Sequence, residues 1–504
     1  MPKWLIVLLL AFAPLSFAVA DADDDRAANA VQRNLGEFLD LLALANVADR
    51  PADIQRNAEF VKRAFERRGL STQLLANPAN RPLVFAKLDG APGTKTILFY
   101  IHLDGQPVVP EEWAQPNPFG PVVKRRDASG AWQPVDRDAL DAKPLVRELR
   151  VFARSASDDK APILMLLTAI DLLKAAGKSP RFGVEVIVDS EEETGSPSLA
   201  GVVAANRALF RADALVILDG PEHPSRRPTL VFGNRGIAQA KLVVFGPPAP
   251  LHSGHFGNYA PNPAFRLAAL LAGMKDDDGR VRIAGWYDGI TLTDADRAGM
   301  AASGDDEAAL TKRTGVATPD KVGATYQESL QYPSLNVRGM ASASIGAKAA
   351  NIVPSDATAE LDFRTTPEND GRHLFDLVKR YIESKGYHLV DGAPSDADRA
   401  KYDRLASFTL DAVEKAERTP MDSPLGEWAY RAVQSRSGPK PVRIRMMGGT
   451  VPTDVLVDAL HLPFIMIPTV NADNNQHAHD ENVRIGNLVS GTQTIHALLT
   501  TAYP

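Results

Sequence analysis

The sequence predicts an α/β domain with a largely buried sheet, interrupted by an inserted α+β domain at residues 238–395. Three observations carry this expectation. Short apolar runs of β character alternate with helical ones on both sides of the insert, the pattern of a sheet covered by helices. Residues 357–364 (ATAELDFR) instead alternate one by one, as expected of a sheet with one open face. A chain of 504 residues is also long for a single core, which favours two or more domains.

Residues 27–46 and 53–68 carry helical periodicity, and Gly69 is placed as a helix C-cap. Strand-like runs follow at 83–88 and 96–101, then a helix at about 162–176 and further strands at 184–188 and 214–218. The segment 239–245 opens the insert and leads to Pro247-Pro248 and a helix over 263–274. Residues 276–330 are polar and show no core pattern, and 124–148 is a second polar stretch. The alternating strand 357–364 is followed by a helix at 369–386. Buried β/α character resumes near 405 with a helix at 423–436, strands at 442–446 and 463–467, and a last helix from about Gly486. The expected division is a leader 1–20, a first domain in two parts (21–237 and 396–504), and the insert 238–395.

The leader reading rests on Lys3, an apolar run from Trp4 to Ala18 broken only by Pro14 and Ser16, and the small-x-small site Ala18-Val19-Ala20. The run is shorter than the roughly 20 apolar residues a membrane span needs. Cleavage after Ala20 would release a soluble protein to a periplasm or the exterior. A net charge of -6 gives no basic field to attract nucleic acid. There is no cysteine. Disulfides, thiolate metal sites and cysteine nucleophiles are therefore excluded, and a transition metal would have to be held by His, Asp and Glu.

Five clusters could supply such ligands: His102-Leu103-Asp104, Asp158-Asp159-Lys160, Glu191-Glu192-Glu193, Asp219 and His477. Four directly follow expected strands, and the carboxyl ends of strands are where open α/β sheets bind ligands. Each has a plain alternative. A histidine after a strand is ordinarily a hydrogen-bonded loop residue, a glutamate run is a solvated turn, and an aspartate before a helix is a cap. Together, two imidazoles and three carboxylates suit two zinc ions if one carboxylate bridges them.

The wording of these clusters resembles peptidase family M20, which includes carnosinase-like dipeptidases, glutamate carboxypeptidase and aminoacylases. The segment Tyr100-Ile101-His102-Leu103-Asp104-Gly105-Gln106-Pro107-Val108 is similar to its first metal motif, and Ser157-Asp158-Asp159-Lys160 to its second. Glu192-Glu193-Thr194-Gly195-Ser196 resembles the third, and Asp219-Gly220 with Gly233-Asn234-Arg235-Gly236 the fourth. Leu251-His252-Ser253-Gly254 with Pro261-Asn262-Pro263 resembles the start of the inserted domain. Gly448-Gly449-Thr450-Val451-Pro452 and His477-Ala478-His479-Asp480-Glu481 are similar to the C-terminal motifs. All of them occur in the family's order.

The resemblance implies a zinc-peptidase catalytic domain with a mostly parallel central sheet and a ferredoxin-like lid and dimerisation insert. It implies that His102 and Asp219 hold one zinc, Glu193 and His477 the other, and Asp158 both, with cobalt or manganese as substitutes. Glu192 would be the general base toward a metal-activated water, and Asp104 would orient His102. The family's Asp158-Asp159 peptide is typically cis. His477 is selected over His479 by the glutamate four residues later, and Glu191 is left without a role. His252, rather than the nearby His255, resembles a histidine that in dimeric members stabilises the oxyanion in the partner's site. Arg364 matches a carboxylate-binding arginine, aided by Gly449 and Thr450, and Asn351 would line the site.

The text departs from the family around Ala153-Arg154-Ser155, where Gly-Arg-Gly is usual, and at Ala161, where Gly is usual. Expected substrates are a dipeptide or the C-terminal end of a short peptide. The alternatives are an N-acyl amino acid amidohydrolase and, from another class, an exported binding protein without catalysis. Asp at position 219 leans to peptidases over deacylases.

Overall fold

The computed structural model describes residues 15–436, 438–451 and 453–504. Of the expected leader, residues 1–14 lie outside that range, as does Pro452 of the Gly448 motif; Leu15–Leu42 is one helix. Among the described residues no helix is long and apolar enough to cross a membrane.

The larger sheet has eight strands in the order Ser71–Leu75, Leu83–Leu88, Gly183–Asp189, Thr96–His102, Ala214–Ile217, Phe464–Met466, Thr229–Val231 and Val442–Ile444. The four strands from Gly183–Asp189 to Phe464–Met466 are mutually parallel. The first two pairings are antiparallel. Parallel strands need both faces covered, and these are. Along Thr96–His102, Ile97, Phe99 and Ile101 enter one apolar core while Leu98 and Tyr100 enter another. The first core is closed by Leu15–Leu42, Pro51–Arg67, Lys160–Ala175 and Ile485–Thr500. The second is closed by Leu199–Ala205 and Thr453–Leu460. Two-sided burial explains why these strands read as continuous apolar runs.

The insert is a five-stranded sheet in the order Ser334–Ala341, Asp356–Thr365, Gly236–Phe245, Leu405–Glu414 and His388–Leu389. All pairings are antiparallel except the last. Its four long strands and the helices Pro263–Ala272 and Gly371–Ser384 follow a β-α-β-β-α-β path, which is the ferredoxin-like arrangement. Asp356–Thr365 buries Ala357, Ala359, Leu361 and Phe363 beneath those helices.

The expected end of the insert at 395 requires correction. Leu405–Glu414 pairs along its length with Gly236–Phe245, so the insert closes only after residue 414. Its apolar residues look locally like a return to the first domain, and only the long-range pairing reveals where it belongs. The strand Ser334–Ala341 was not expected either, because an exposed edge strand has no buried face to mark it. The polar stretch 276–330 is partly helical, at Asp294–Ala301, Glu307–Thr314 and Tyr326–Ser329, with side-chain caps from Thr293, Asp306 and Thr325.

Phe363 is fully buried, and its ring meets Trp286 edge-on at 5.6 Å. Phe363→Ala is expected to destabilise the insert by roughly 3–5 kcal/mol. Urea denaturation read by tryptophan fluorescence checks this; an unshifted transition would mean that the insert lacks a core of its own.

Candidate metal centre

The residues singled out by the clusters converge at the carboxyl ends of the parallel strands. His102 is the last residue of Thr96–His102, and Asp219 lies two residues beyond Ala214–Ile217. Glu192 and Glu193 start the short 3-10 turn Glu192–Thr194 after Gly183–Asp189. That turn ends on Gly195 at φ +82, a conformation open to a residue without Cβ. Asp158 precedes Lys160–Ala175, and the Asp158–Asp159 peptide is cis.

Asp158 stands at the centre. Its Oδ1 is 2.9 Å from His102 Nε2 and its Oδ2 is 3.0 Å from His477 Nε2. His477 Nε2 is also 3.2 Å from Glu193 Oε2. Two groups of potential ligand atoms result, His102/Asp158/Asp219 and Asp158/Glu193/His477, each with its atoms within 4.8 Å of one another. Glu192 Oε2 lies 4.0 Å from His102 Nε2. His479 is outside this cluster, 3.9 Å from the exposed Glu112.

Electrostatics explain what the site lacks. Burial pushes Glu192 well above the usual carboxylate range, and the charges of Asp219, Asp158 and Glu193 add to the push. Burial and the Asp158 charge raise Glu193 to about 7 and Asp219 to about 6. The bond to Asp158 lifts His477 to about 9. Burial opposes charge on His102, but the Asp104 and Asp158 carboxylates facing its two ring nitrogens hold its pKa well above the ordinary value. Asp158 is buried too, yet its bonds to the two histidines hold it low. Crowded buried carboxylates that take up protons are short of positive charge. Divalent cations supply it, and two imidazoles with three carboxylates are a suitable donor set for them.

The backbone around the ligands is held by buried polar groups. Glu481 accepts hydrogen bonds from Arg154 Nη1 (2.8 Å), Ser155 N, Ser157 N and Oγ, and Asp158 N, the last at 2.9 Å. Ser155 occupies φ +59, where the family pattern has glycine, and its Oγ accepts from Asn46 Nδ2 at 2.9 Å. The missing glycine is thus replaced by a residue whose hydroxyl is bonded in place. Asp104 accepts from the Glu192 and Glu193 amides at 3.2 and 3.0 Å, and its Oδ1 is 3.4 Å from His102 Nδ1, a long contact. One carboxylate therefore links the first and third clusters. Lys160 is buried and donates to the carbonyls of Leu41 and Leu44.

Some residues were not legible beforehand. Glu191 has a structural role: its carboxylate is 2.8 Å from Arg81 and accepts from Ser198 N. Arg81 carries no motif that could have signalled this. Gln106 donates to Glu193 Oε2 at 2.7 Å and lies within the first motif. Arg235 is buried, with Nη2 donating to the Tyr332 carbonyl and Nε without a partner among the described residues, and burial lowers its pKa to about 10, helped by the Arg364 charge.

A cavity of about 410 Å³ is lined by Asp158, Glu192, Asp219 and His477 together with Gly449 and Thr450. Arg364 Nη1 donates to Thr450 Oγ1 at 2.7 Å, so Arg364 stands behind a lining residue without being one itself. His252 and Asn351 are not among the lining residues. His252 is exposed on the small ladder that pairs Leu251–His252 with Ile352–Val353, its ring 4.9 Å from that of His255, and Asn351 is exposed just ahead of that ladder. The 276–330 stretch contributes Asp305, Leu310, Arg313, Tyr326, Gln327 and Leu330 to the cavity, so it shapes the pocket.

A profile of Peptidase family M20/M25/M40 matches residues 98–501. The Cys-Gly metallodipeptidase of Saccharomyces cerevisiae is 26% identical over 436 residues, 85% of this chain and 83% of that protein. The human Beta-Ala-His dipeptidase is 24% identical over 428 residues, 82% of this chain and 76% of that protein. Among solved structures, the M20 family metallo-carboxypeptidase Sso-CP2 of Sulfolobus solfataricus superposes with a TM-score of 0.71 at 25% identity, covering 92% of this chain and 98% of its own.

Asp104→Asn is expected to weaken metal affinity about 10- to 100-fold, because it removes the charge that orients His102 and the Glu192–Glu193 turn. Competition with a chromogenic chelator measures this, and unchanged affinity would remove that role from Asp104.

Proposed function

As the chain belongs to peptidase family M20/M25/M40 and to its carnosinase-like dipeptidase group, we propose that it hydrolyses the peptide bond of dipeptides with a free carboxylate, using two zinc ions. The observation that carries this reading is the sharing of Asp158, whose two oxygens face separate histidines at 2.9 and 3.0 Å. His102 and Asp219 would hold one ion, Glu193 and His477 the other, and Asp158 both. Bound there, zinc supplies Lewis-acid activation of water and of the scissile carbonyl at neutral pH, with cobalt or manganese as substitutes.

The chain's own groups supply the rest. Glu192 takes a proton from the attacking water and passes it to the leaving nitrogen. Arg364, bonded to Thr450, receives the substrate carboxylate, and the buried Arg235, whose carbonyl accepts from Thr450 Oγ1, adds a second guanidinium nearby. Gly449 offers its amide on the same side. Asn351 is exposed next to the ladder that carries His252 and contributes to substrate binding only alongside it.

We further propose a homodimer formed through the insert, in which His252 stabilises the oxyanion in the partner's site. Support comes from the exposure of His252 and of the apolar Phe256, Tyr259, Met340 and Ile345 on the insert. Export with cleavage after Ala20 belongs to the same reading. The helix would then begin in the acidic run Asp21–Asp25, where negative charge suits a helix N-terminus.

A panel of dipeptides and N-acetyl amino acids tests the reaction. Hydrolysis of dipeptides that is abolished by chelation is expected, and activity confined to N-acetyl amino acids would favour the deacylase alternative instead. Glu192→Gln is expected to lower kcat by about 10²- to 10⁴-fold with metal content retained. A kcat near the wild-type value in that variant would assign the base elsewhere.

A further inference from the structure

The turn that carries Glu192 and Glu193 is held by a second buried carboxylate, one that the metal chemistry does not use. Asp189 ends the strand Gly183–Asp189 and is 1% exposed. Its Oδ1 accepts from the amides of Ser190 at 2.6 Å and Glu191 at 3.2 Å. Its Oδ2 accepts from Ser196 Oγ at 2.6 Å and Tyr100 Oη at 3.0 Å. Asp104 takes the next two amides, those of Glu192 and Glu193. Successive backbone donors from 190 to 193 thus end on two buried carboxylates. An ionised carboxylate suits the position at 189, since it only accepts and each of these partners donates.

The far end of the turn depends on the same group. Ser196 stands at φ +50, a left-handed backbone that a residue with a Cβ adopts rarely. Its amide donates to the Glu191 carbonyl at 2.9 Å and closes the turn. Its hydroxyl, bonded to Asp189, ties that closing residue back to the end of the strand. Asp189 therefore joins the entry of the turn to its exit, and Tyr100 joins both to the neighbouring strand Thr96–His102. Glu191 is spent on Arg81 and the Ser198 amide. That leaves Glu192 and Glu193 to face His102 and His477.

Adjacent side chains share one backbone, so the roles of the two glutamates depend on the conformation of the turn. A displacement of about 1 Å at a reacting group costs on the order of 10²-fold in rate. We propose that Asp189 is a positioning residue for the reaction. Through Ser196 it holds the turn in the one conformation that gives Glu192 to the attacking water and Glu193 to the metal. The proposal rests on the dipeptidase reading above and adds to it a residue that touches neither metal nor substrate.

Two variants test it. Ser196→Ala removes the hydroxyl and keeps every backbone amide, and Asp189→Asn keeps the shape and removes the charge. Both are compared with the parent protein by zinc competition with a chromogenic chelator and by kcat and KM on a dipeptide at saturating zinc. One of the two zinc ions, that assigned to Glu193 and His477, should bind about 10- to 100-fold more weakly, with the other unchanged. In the zinc-loaded variants kcat should fall by about tenfold or more. KM should hold, because Arg364 and Thr450 are untouched. A merely structural role would lower the urea midpoint and leave kcat, KM and both zinc affinities of the folded protein at parental values. That result, equal weakening of both ions, or a change confined to KM would overturn the Asp189 assignment alone. Ser196→Ala decides the matter by itself if Asp189→Asn does not fold. A parent protein without dipeptide turnover would overturn the dipeptidase reading, and the assignment with it.

Discussion

The structure depends on one buried carboxylate. Asp158 is shared between His102 and His477, with Glu192, Glu193 and Asp219 crowded around it. Water would otherwise solvate these charges, and burial removes that solvation. Burial and mutual repulsion raise the pKa values of the neighbouring carboxylates, and the contacts with Asp158 raise those of the two imidazoles. A site in this condition is built for cations, and the elements around it keep it from relaxing. Glu481 fixes the loop that presents Asp158, Asp104 ties His102 to the Glu192–Glu193 turn, and Lys160 anchors the following helix to the end of Leu15–Leu42.

The division of the fold follows from the same requirement. The parallel sheet, buried on both faces, gives a rigid edge from which several ligands project at fixed spacing. The insert brings Arg364 to Thr450, at the edge of the cavity that Asp158, Asp219 and His477 line. The segment 294–330 adds Leu310, Tyr326 and Leu330 to the lining of the cavity. Sheet, insert and segment 294–330 thus contribute to one region around the cavity.

Legibility varied with burial and with the range of the contacts. Thr96–His102 and Gly183–Asp189 announce themselves as continuous apolar runs because both faces are covered. Ser334–Ala341 does not, since its exposed edge gives no alternation, and Leu405–Glu414 could be assigned to its sheet only through its partner Gly236–Phe245. In the site, His102, Asp158, Glu192, Glu193, Asp219 and His477 stand in motifs with recognisable neighbours, and they converge in space. The contact of Arg81 with Glu191 joins residues more than a hundred positions apart, with no local signal at either end. The part of the cavity lining from 294–330 was hidden for another reason: Leu310 and Leu330 are isolated apolar residues in a segment that otherwise reads as polar.

The central claim is that Asp158 is common to two metal sites. Metal analysis of the purified protein and of Asp158→Ala, both equilibrated with zinc and freed of excess, addresses it most directly. The account predicts two equivalents of zinc per chain in the parent protein and less than one in the variant, because both sites lose the shared ligand. Two equivalents retained in Asp158→Ala, or a single equivalent in both proteins, would contradict it.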